Sequence, residues 1–428
     1  MPSGVADYFW HGAYARRLFQ SKLLDTFHHW GYGDIILPTF EYADTLSSHA
    51  TPTVAQQMYR FPDRDGSMLA LRTDMTISVA RLVGTRLFDW PMPQRYSYSG
   101  NVFRYVDQPQ AGRQREFAQV GIELIGASGA GSDGEILALC ANALQDVGLR
   151  NFQIVVGQIG YFNSLLEELS ITPEQQQQLV QAIQRNSQPL IELFLENTSL
   201  STEQRCTVEN LPSLSGYAVP EIFEKASELC LNSGMEDALD NLRQIYDVLV
   251  AYDVASYCYL DMTEIRDLGY YTGLTFEILA PELGFPIASG GRYDELVGFF
   301  GNPQPAVGAA IGLDRLLLAY ERQLGNENQA PRPVQPDLIV AATQSHACIE
   351  IVQAWRAKNI HVVVDVVEQR SGPELWQEAQ KLSINFVVAW NEEENGFDLY
   401  ADPKSSTPSQ FVAVADQDKI LEMIGWSE

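Results

Sequence analysis

Apolar positions Leu18, Leu23, Leu24 and Phe27 recur at helical spacing and predict a helix over 13–30, ended by Gly31. The β-branched run GDIILPTFEY follows and reads as a strand stopped by Pro38. Between Met68 and Gly126 the period shortens to two: MLALRTD, QRYSYSGNVFRYV and REFAQVGIELIG alternate with turns, and DQPQAGRQ makes a Pro/Gly hairpin loop. That spacing predicts antiparallel strands. A helix is expected over 133–147 and a strand over 151–157. Residues about 160–250 return almost wholly to helical spacing, with Thr172-Pro173-Glu174 as a helix start. Strands resume at SYCYLDM, YYTGLTFEILA and FPIASGGRYD, before AVGAAIG runs into the helical LDRLLLAYERQL.

LGNENQAPRPVQP, residues 324–336, is a polar, Pro-rich linker. Beyond it DLIVAA, HVVVDVV, NFVVAW, FDLYA and FVAVA are strand-like and alternate early with helices, predicting a separate small α/β domain over 337–428. The expected organisation is therefore a core over 1–323 with a helical insertion at about 160–250, the linker, and that domain. The 428 residues suffice for this, and 46% apolar with 19% charged residues is the balance of a globular chain.

Charge narrows the function. Lys and Arg number 28 against 55 Asp and Glu, a net −27, which opposes nucleic-acid binding unless basic residues are gathered locally. Residues 95–116 are such a local exception, with four Arg against one Asp and one Glu. No apolar run reaches a membrane span and no signal-peptide pattern opens the chain. Five scattered cysteines and six histidines without ligand spacing predict neither a disulfide framework nor a metal site, and a reducing cytoplasm fits them.

Chemistry gathers on REFAQVGIELIG. With period two, Phe117, Gln119, Gly121, Glu123 and Ile125 share one face, and Ala118, Val120, Ile122 and Leu124 the other. The second face is core. The first sets an amide beside a carboxylate with glycine between, open to a ligand. A buried Glu123 calls for a cation, either an Arg of this protein or a ligand ammonium. Asp74 and Thr76 in LRTDMT form a second acidic point, which also suits capping of TISVARLV. Arg104, Arg113, Arg115, Arg266 and Arg315 stand in Gly-rich or strand contexts, where a planar fork can take carboxylate or phosphate. ASGGRYDELVG and AVGAAIG allow close backbone approach but form neither a P-loop nor a dinucleotide fingerprint, and no nucleophile elbow or HExxH is present.

In order, these segments resemble the class II aminoacyl-tRNA synthetase core, of the histidyl type. WGYGDIILPTFEY resembles motif 1, GNVFRYVDQPQAGRQREFAQVGIELIG motif 2, AAIGLDRLLLAYE motif 3, and RDLGYYTGLTFE with SGGRYDEL the histidine signature. The resemblance implies an α+β fold: an antiparallel sheet flanked by helices, with a helical insertion and a C-terminal α/β domain resembling a degenerate anticodon-binding domain. It places Gln119 and Glu123 around the α-amino group and imidazole of histidine, with Asp74 and Thr76 also facing the amino group. Tyr270 and Tyr271 fall at the imidazole, and Arg104 and Arg266 at the carboxylate or α-phosphate. Arg113 and Arg315 would be residual anion contacts.

Departures shift the expected activity. Val106 stands where the synthetase reads adenine with Glu, Thr73 replaces the usual proline, and Arg266-Asp267-Leu268-Gly269-Tyr270-Tyr271 displaces the acidic residue of the signature. The C-terminal domain carries six Lys/Arg against fifteen Asp/Glu. LRTDMT with such a pocket is similar to the regulatory paralogues that serve ATP phosphoribosyltransferase. Membership there implies a non-catalytic subunit that binds free histidine and is required by the short catalytic chain for activity and feedback inhibition, in the first step of histidine biosynthesis. It also implies a homodimer building block in a hetero-octamer of four and four, without cofactor, metal, nucleic acid or membrane. An active histidyl-tRNA synthetase, which would also carry a C-terminal domain, and a plain amino-acid-binding scaffold remain alternatives.

Overall fold

Nine strands form one sheet, in the spatial order Gly33–Asp34, Gln94–Phe103, Glu116–Ile125, Ala306–Gly312, Ala288–Arg292, Leu274–Leu279, Gln153–Gln158, Cys258–Asp261 and Ser215–Gly216. The structure is a computed structural model that describes residues 1–47, 52–264, 271–281, 283–325, 331, 336–341, 345–367, 370–382, 384–402, 405 and 407–425. Six of the eight pairings are antiparallel. The two parallel pairings join Gly33–Asp34 to Gln94–Phe103 and Cys258–Asp261 to Gln153–Gln158.

The alternation read on REFAQVGIELIG is what separates the two sides of this sheet. Ala118, Val120, Ile122 and Leu124 enter a core shared with helices Trp10–His29, Ala130–Asp146 and Ser233–Ala251. Ile125 joins a second core built from Tyr96, Tyr98, Val102, Tyr293 and the apolar face of helix Thr76–Arg86, and Phe117 packs against that core elsewhere. Helix Ala130–Asp146 lies between the first helix and Ser233–Ala251, and most of its residues are buried. The segment 159–251 is chiefly helical. One of its helices, Pro173–Gln184, opens on a capping box between Thr172 and Gln175 with Pro173 in the first turn.

One element differs from the sequence pattern. GDIILPTFEY is not a single strand: Gly33–Asp34 pairs with Tyr96 and Ser97, whereas Phe40–Tyr42 belongs to a separate three-stranded sheet with Met68–Leu71 and Arg60–Pro62. Between the two, Ile36 is 97% exposed. Period and β-branching report strand propensity, but a strand also needs an edge to pair with, and the chain leaves the sheet edge once the Ile35 amide has donated to the Ser97 carbonyl.

The chain divides into two units, Met1–Pro331 and Arg332–Glu428. The second has a five-stranded sheet in the order Val362–Val364, Leu338–Ala341, Val387–Asn391, Gly396–Tyr400, Gln410–Ala413, parallel at first and antiparallel at the end. Its core holds Trp355 and Phe397, with Trp376 in a neighbouring cluster. No helix among the described residues is long and apolar enough to cross a membrane.

Candidate functional site

Strands Glu116–Ile125, Ala306–Gly312 and Ala288–Arg292 lie side by side, and a cavity opens over them. Asp74, Thr76, Arg104, Gln119, Tyr271, Ser289, Gly290, Gly291, Tyr293 and Gly308–Ala310 line it. It is a tight cavity, of about 60 Å³. The register explains the floor. Gly308 stands opposite Glu123 and Gly291 opposite Gly308, so two glycines face the cavity where side chains would fill it. A Cβ on Gly308 would overlap Glu123 Oε2, and one on Gly291 would lie 2.9 Å from the Tyr271 ring.

Glu123 is 1% exposed, and its carboxylate lies over Gly308 on the same face of the sheet. Its Oε1 accepts from Thr76 Oγ1 at 2.8 Å and from the Tyr98 hydroxyl at 3.1 Å, and its Oε2 accepts from the Tyr293 hydroxyl. Among the described residues no Arg bonds Glu123, and three neutral hydroxyls meet the carboxylate. Burial pushes its pKa up from 4.5 to about 7, while the hydrogen bonds from Tyr293, Thr76 and Tyr98 oppose that rise and Asp74 adds to it.

Asp74 Oδ1 accepts from the Ile77 amide at 3.3 Å, at the start of helix Thr76–Arg86, and the residue also lines the cavity. Gln119 is 9% exposed, and its buried Oε1 has no hydrogen-bond partner among the described residues. Such an acceptor inside a cavity is suited to a ligand N–H donor. Arg104 is fixed through Nε, which donates to the Thr73 carbonyl at 2.8 Å, with its guanidinium 5.8 Å from the Phe117 ring centroid. One wall therefore carries Asp74, Thr76 and Gln119 for an ammonium, and Arg104 supplies a cation for an anionic group.

Of the residues expected here, Asp74, Thr76, Arg104, Gln119 and Tyr271 meet at one cavity, with buried Glu123 bonded to Thr76. Arg266 and Tyr270 lie outside the described residues. Arg113 lies at a separate cavity with Gln56, Gln57, Tyr105, Val106, Asp107 and Gln108. Arg315 donates Nε to the Gly112 carbonyl and Nη1 to the Pro286 carbonyl, both at 2.8 Å, and lies over the Phe285 ring. Tyr98 and Tyr293 were not singled out beforehand. The alternation of QRYSYSG puts Tyr98 on the same face as Tyr96, and Tyr293 follows the Gly-Gly-Arg of the floor strand, but only strand pairing across the sheet brings both hydroxyls to Glu123. No group of three His, Cys, Asp or Glu among the described residues could hold a metal ion.

The histidyl-tRNA synthetase family model matches residues 4–316. An ATP phosphoribosyltransferase regulatory subunit of Desulforamulus reducens is 37% identical over 92% of this chain and 97% of its own. The chain belongs to the ATP phosphoribosyltransferase regulatory subunits, a histidyl-tRNA synthetase-like family. A crystal structure from Bacillus halodurans, described as an ATP phosphoribosyltransferase regulatory subunit/histidyl-tRNA synthetase, has TM-score 0.79 and 30% identity, covering 91% of this chain and 97% of that one. The histidyl-tRNA synthetase of Nostoc sp. PCC 7120 shares the fold at TM-score 0.77 and 22% identity, covering 99% of this chain and 98% of that one. The class II synthetase-like fold expected from the motifs is thus the observed one. Within a regulatory-subunit family, the contrast between Arg104 and Arg315 is informative. Arg104 borders the cavity, whereas two nitrogens of Arg315 are spent on backbone carbonyls of its own chain.

Proposed function

We propose that this chain is a non-catalytic regulatory subunit of ATP phosphoribosyltransferase that binds free histidine in the cavity beside Glu123. The observation that carries the reading is the buried Gln119 Oε1, without a hydrogen-bond partner among the described residues, at the same cavity as Asp74, Thr76 and Arg104. Those groups complement the ammonium and carboxylate of an amino acid, and the hydroxyl-ringed Glu123 beside them offers polarity for an imidazole. Tyr271, and Tyr270 and Arg266 from the same signature, complete the proposed pocket. Arg113 and Arg315 are proposed as residual anion contacts only; the carbonyls on Arg315 favour that reduced role.

Regulation follows by linkage. Histidine that binds one quaternary state more tightly biases the short catalytic chain toward its inhibited form, and the catalytic chain reciprocally alters histidine affinity. The proposed assembly is a cytoplasmic hetero-octamer of four and four built on a regulatory homodimer, acting at the first step of histidine biosynthesis. An active histidyl-tRNA synthetase is the second reading, favoured by the C-terminal unit, which we interpret as a degenerate anticodon-binding domain on the strength of the net −9 charge of residues 337–428.

Calorimetry with L-histidine, together with histidine-dependent ATP–pyrophosphate exchange on the same preparation, tests the choice. Binding that weakens at least ~10-fold in Glu123→Ala, with no exchange, is expected. Robust exchange would establish the synthetase instead. Unchanged affinity in the variant would move the pocket elsewhere.

A further inference from the structure

Helix Ala130–Asp146 carries two carboxylates, two residues apart, that face different parts of the molecule. Asp133 is fully buried and paired with Arg292, whose Nε and Nη2 reach Oδ1 at 2.9 and 2.7 Å. Arg292 also donates to Ser132 Oγ at 2.8 Å, Asp294 Oδ1 at 2.9 Å and the Ala127 carbonyl at 3.2 Å. In the chain Arg292 sits between Gly291 and Tyr293, both of which line the cavity. Its carbonyl accepts from the Thr272 amide at 2.8 Å, next to Tyr271. The ion pair thus anchors the back of the pocket wall.

Glu135 looks toward the sheet edge. Its Oε1 accepts from the Tyr32 hydroxyl and from Arg95 Nε, both at 2.8 Å, and its Oε2 from Arg95 Nη2 at 3.0 Å. Tyr32 immediately precedes the edge strand Gly33–Asp34, and the residue after Arg95 is in register with both Gly33 and Glu123. Beyond that strand comes the exposed Ile36. A second observation concerns Asp133: its Oδ2 is buried with no hydrogen-bond partner among the described residues. That oxygen has no bond to lose if the carboxylate reorients, so the pair has latitude to respond to a change at the pocket.

We propose that the first turns of helix Ala130–Asp146 transmit occupancy of the pocket to the Gly33–Leu37 edge, with Asp133 and Glu135 as positioning residues. The proposal rests on reading the cavity as the histidine site. A ligand seated against Tyr271, Gly291 and Tyr293 displaces the Arg292 backbone, and the ion pair passes that displacement to the helix. Asp133 and Glu135 move together because they share one hydrogen-bonded helical turn. Glu135 then alters the hold on Tyr32 and Arg95, and hence on the edge strand.

Hydrogen exchange on the full chain, with and without saturating L-histidine, tests this. In the wild type, histidine is expected to slow exchange across Gly33–Leu37 by about five-fold or more. Glu135→Gln is expected to bind histidine within about two-fold of wild type by calorimetry, yet to lose that slowing. Asp133→Asn should uncouple the edge in the same way; if loss of the charge beside Arg292 prevents folding, Glu135→Gln decides alone. Full slowing in Glu135→Gln overturns the proposal, as does its absence in a wild type that binds histidine. A wild type that does not bind histidine overturns the pocket reading, and this inference with it.

Discussion

Glu123 concentrates the problem of placing a carboxylate in a core. Full burial raises the cost of its charge, and three hydroxyl donors offset only part of it, leaving the pKa near 7. Because the folded-state value lies above the unfolded one, the folded protein holds this proton more tightly. The associated stability is complete below about pH 4.5 and is lost as pH rises through about 7. Glu123→Gln removes that titration. Melting temperatures compared between pH 5 and 8 should show the wild type losing ground to the variant as pH rises; a constant difference would mean that Glu123 titrates normally. Alternation along REFAQVGIELIG made Glu123 and Gln119 legible as neighbours on one face. The hydroxyls were not legible, because Thr76, Tyr98 and Tyr293 come from three other segments and meet only at the carboxylate.

Elements with local signals were the most readable. Thr172 Oγ1 accepts from the Gln175 amide and Gln175 Oε1 accepts from the Thr172 amide, satisfying helix-end groups within four residues. Thr172→Ala should therefore cost about 1 kcal/mol, read as a lower urea midpoint with an unchanged slope. Histidine affinity should not change, since the cap touches no cavity residue. GDIILPTFEY is the opposite case. Its β-branched residues predicted one strand, but pairing is non-local: only Gly33 and Asp34 find Tyr96 and Ser97, and Phe40–Tyr42 finds Met68–Leu71 instead. Arginines behave similarly. Nothing near Arg315 in the chain announces that carbonyls of Gly112 and Pro286 will occupy it.

For the whole molecule, the net charge of −27 sets the field in which the pocket works. It opposes polyanions in general and leaves the arginines of 95–116 as a local exception. Every described cavity residue belongs to Met1–Pro331, which has its own apolar cores. A chain ending at Pro331 should thus fold and bind histidine within about two-fold of the full protein by calorimetry. A loss of ten-fold or more would make the C-terminal unit a contributor to binding.

The sequence alone determined the order of motifs, the alternation of the central strands, the helical insertion and the acidic balance. Each of these is a property of neighbouring residues or of totals, which the linear chain already contains. Tertiary structure alone decided that Glu123 would be met by hydroxyls, that Gly308 and Gly291 would form a floor, and that Asp133 and Glu135 would face the pocket wall and the sheet edge. Those outcomes depend on contacts between residues tens to hundreds of positions apart, which exist only once strand register and helix packing bring them within hydrogen-bonding reach.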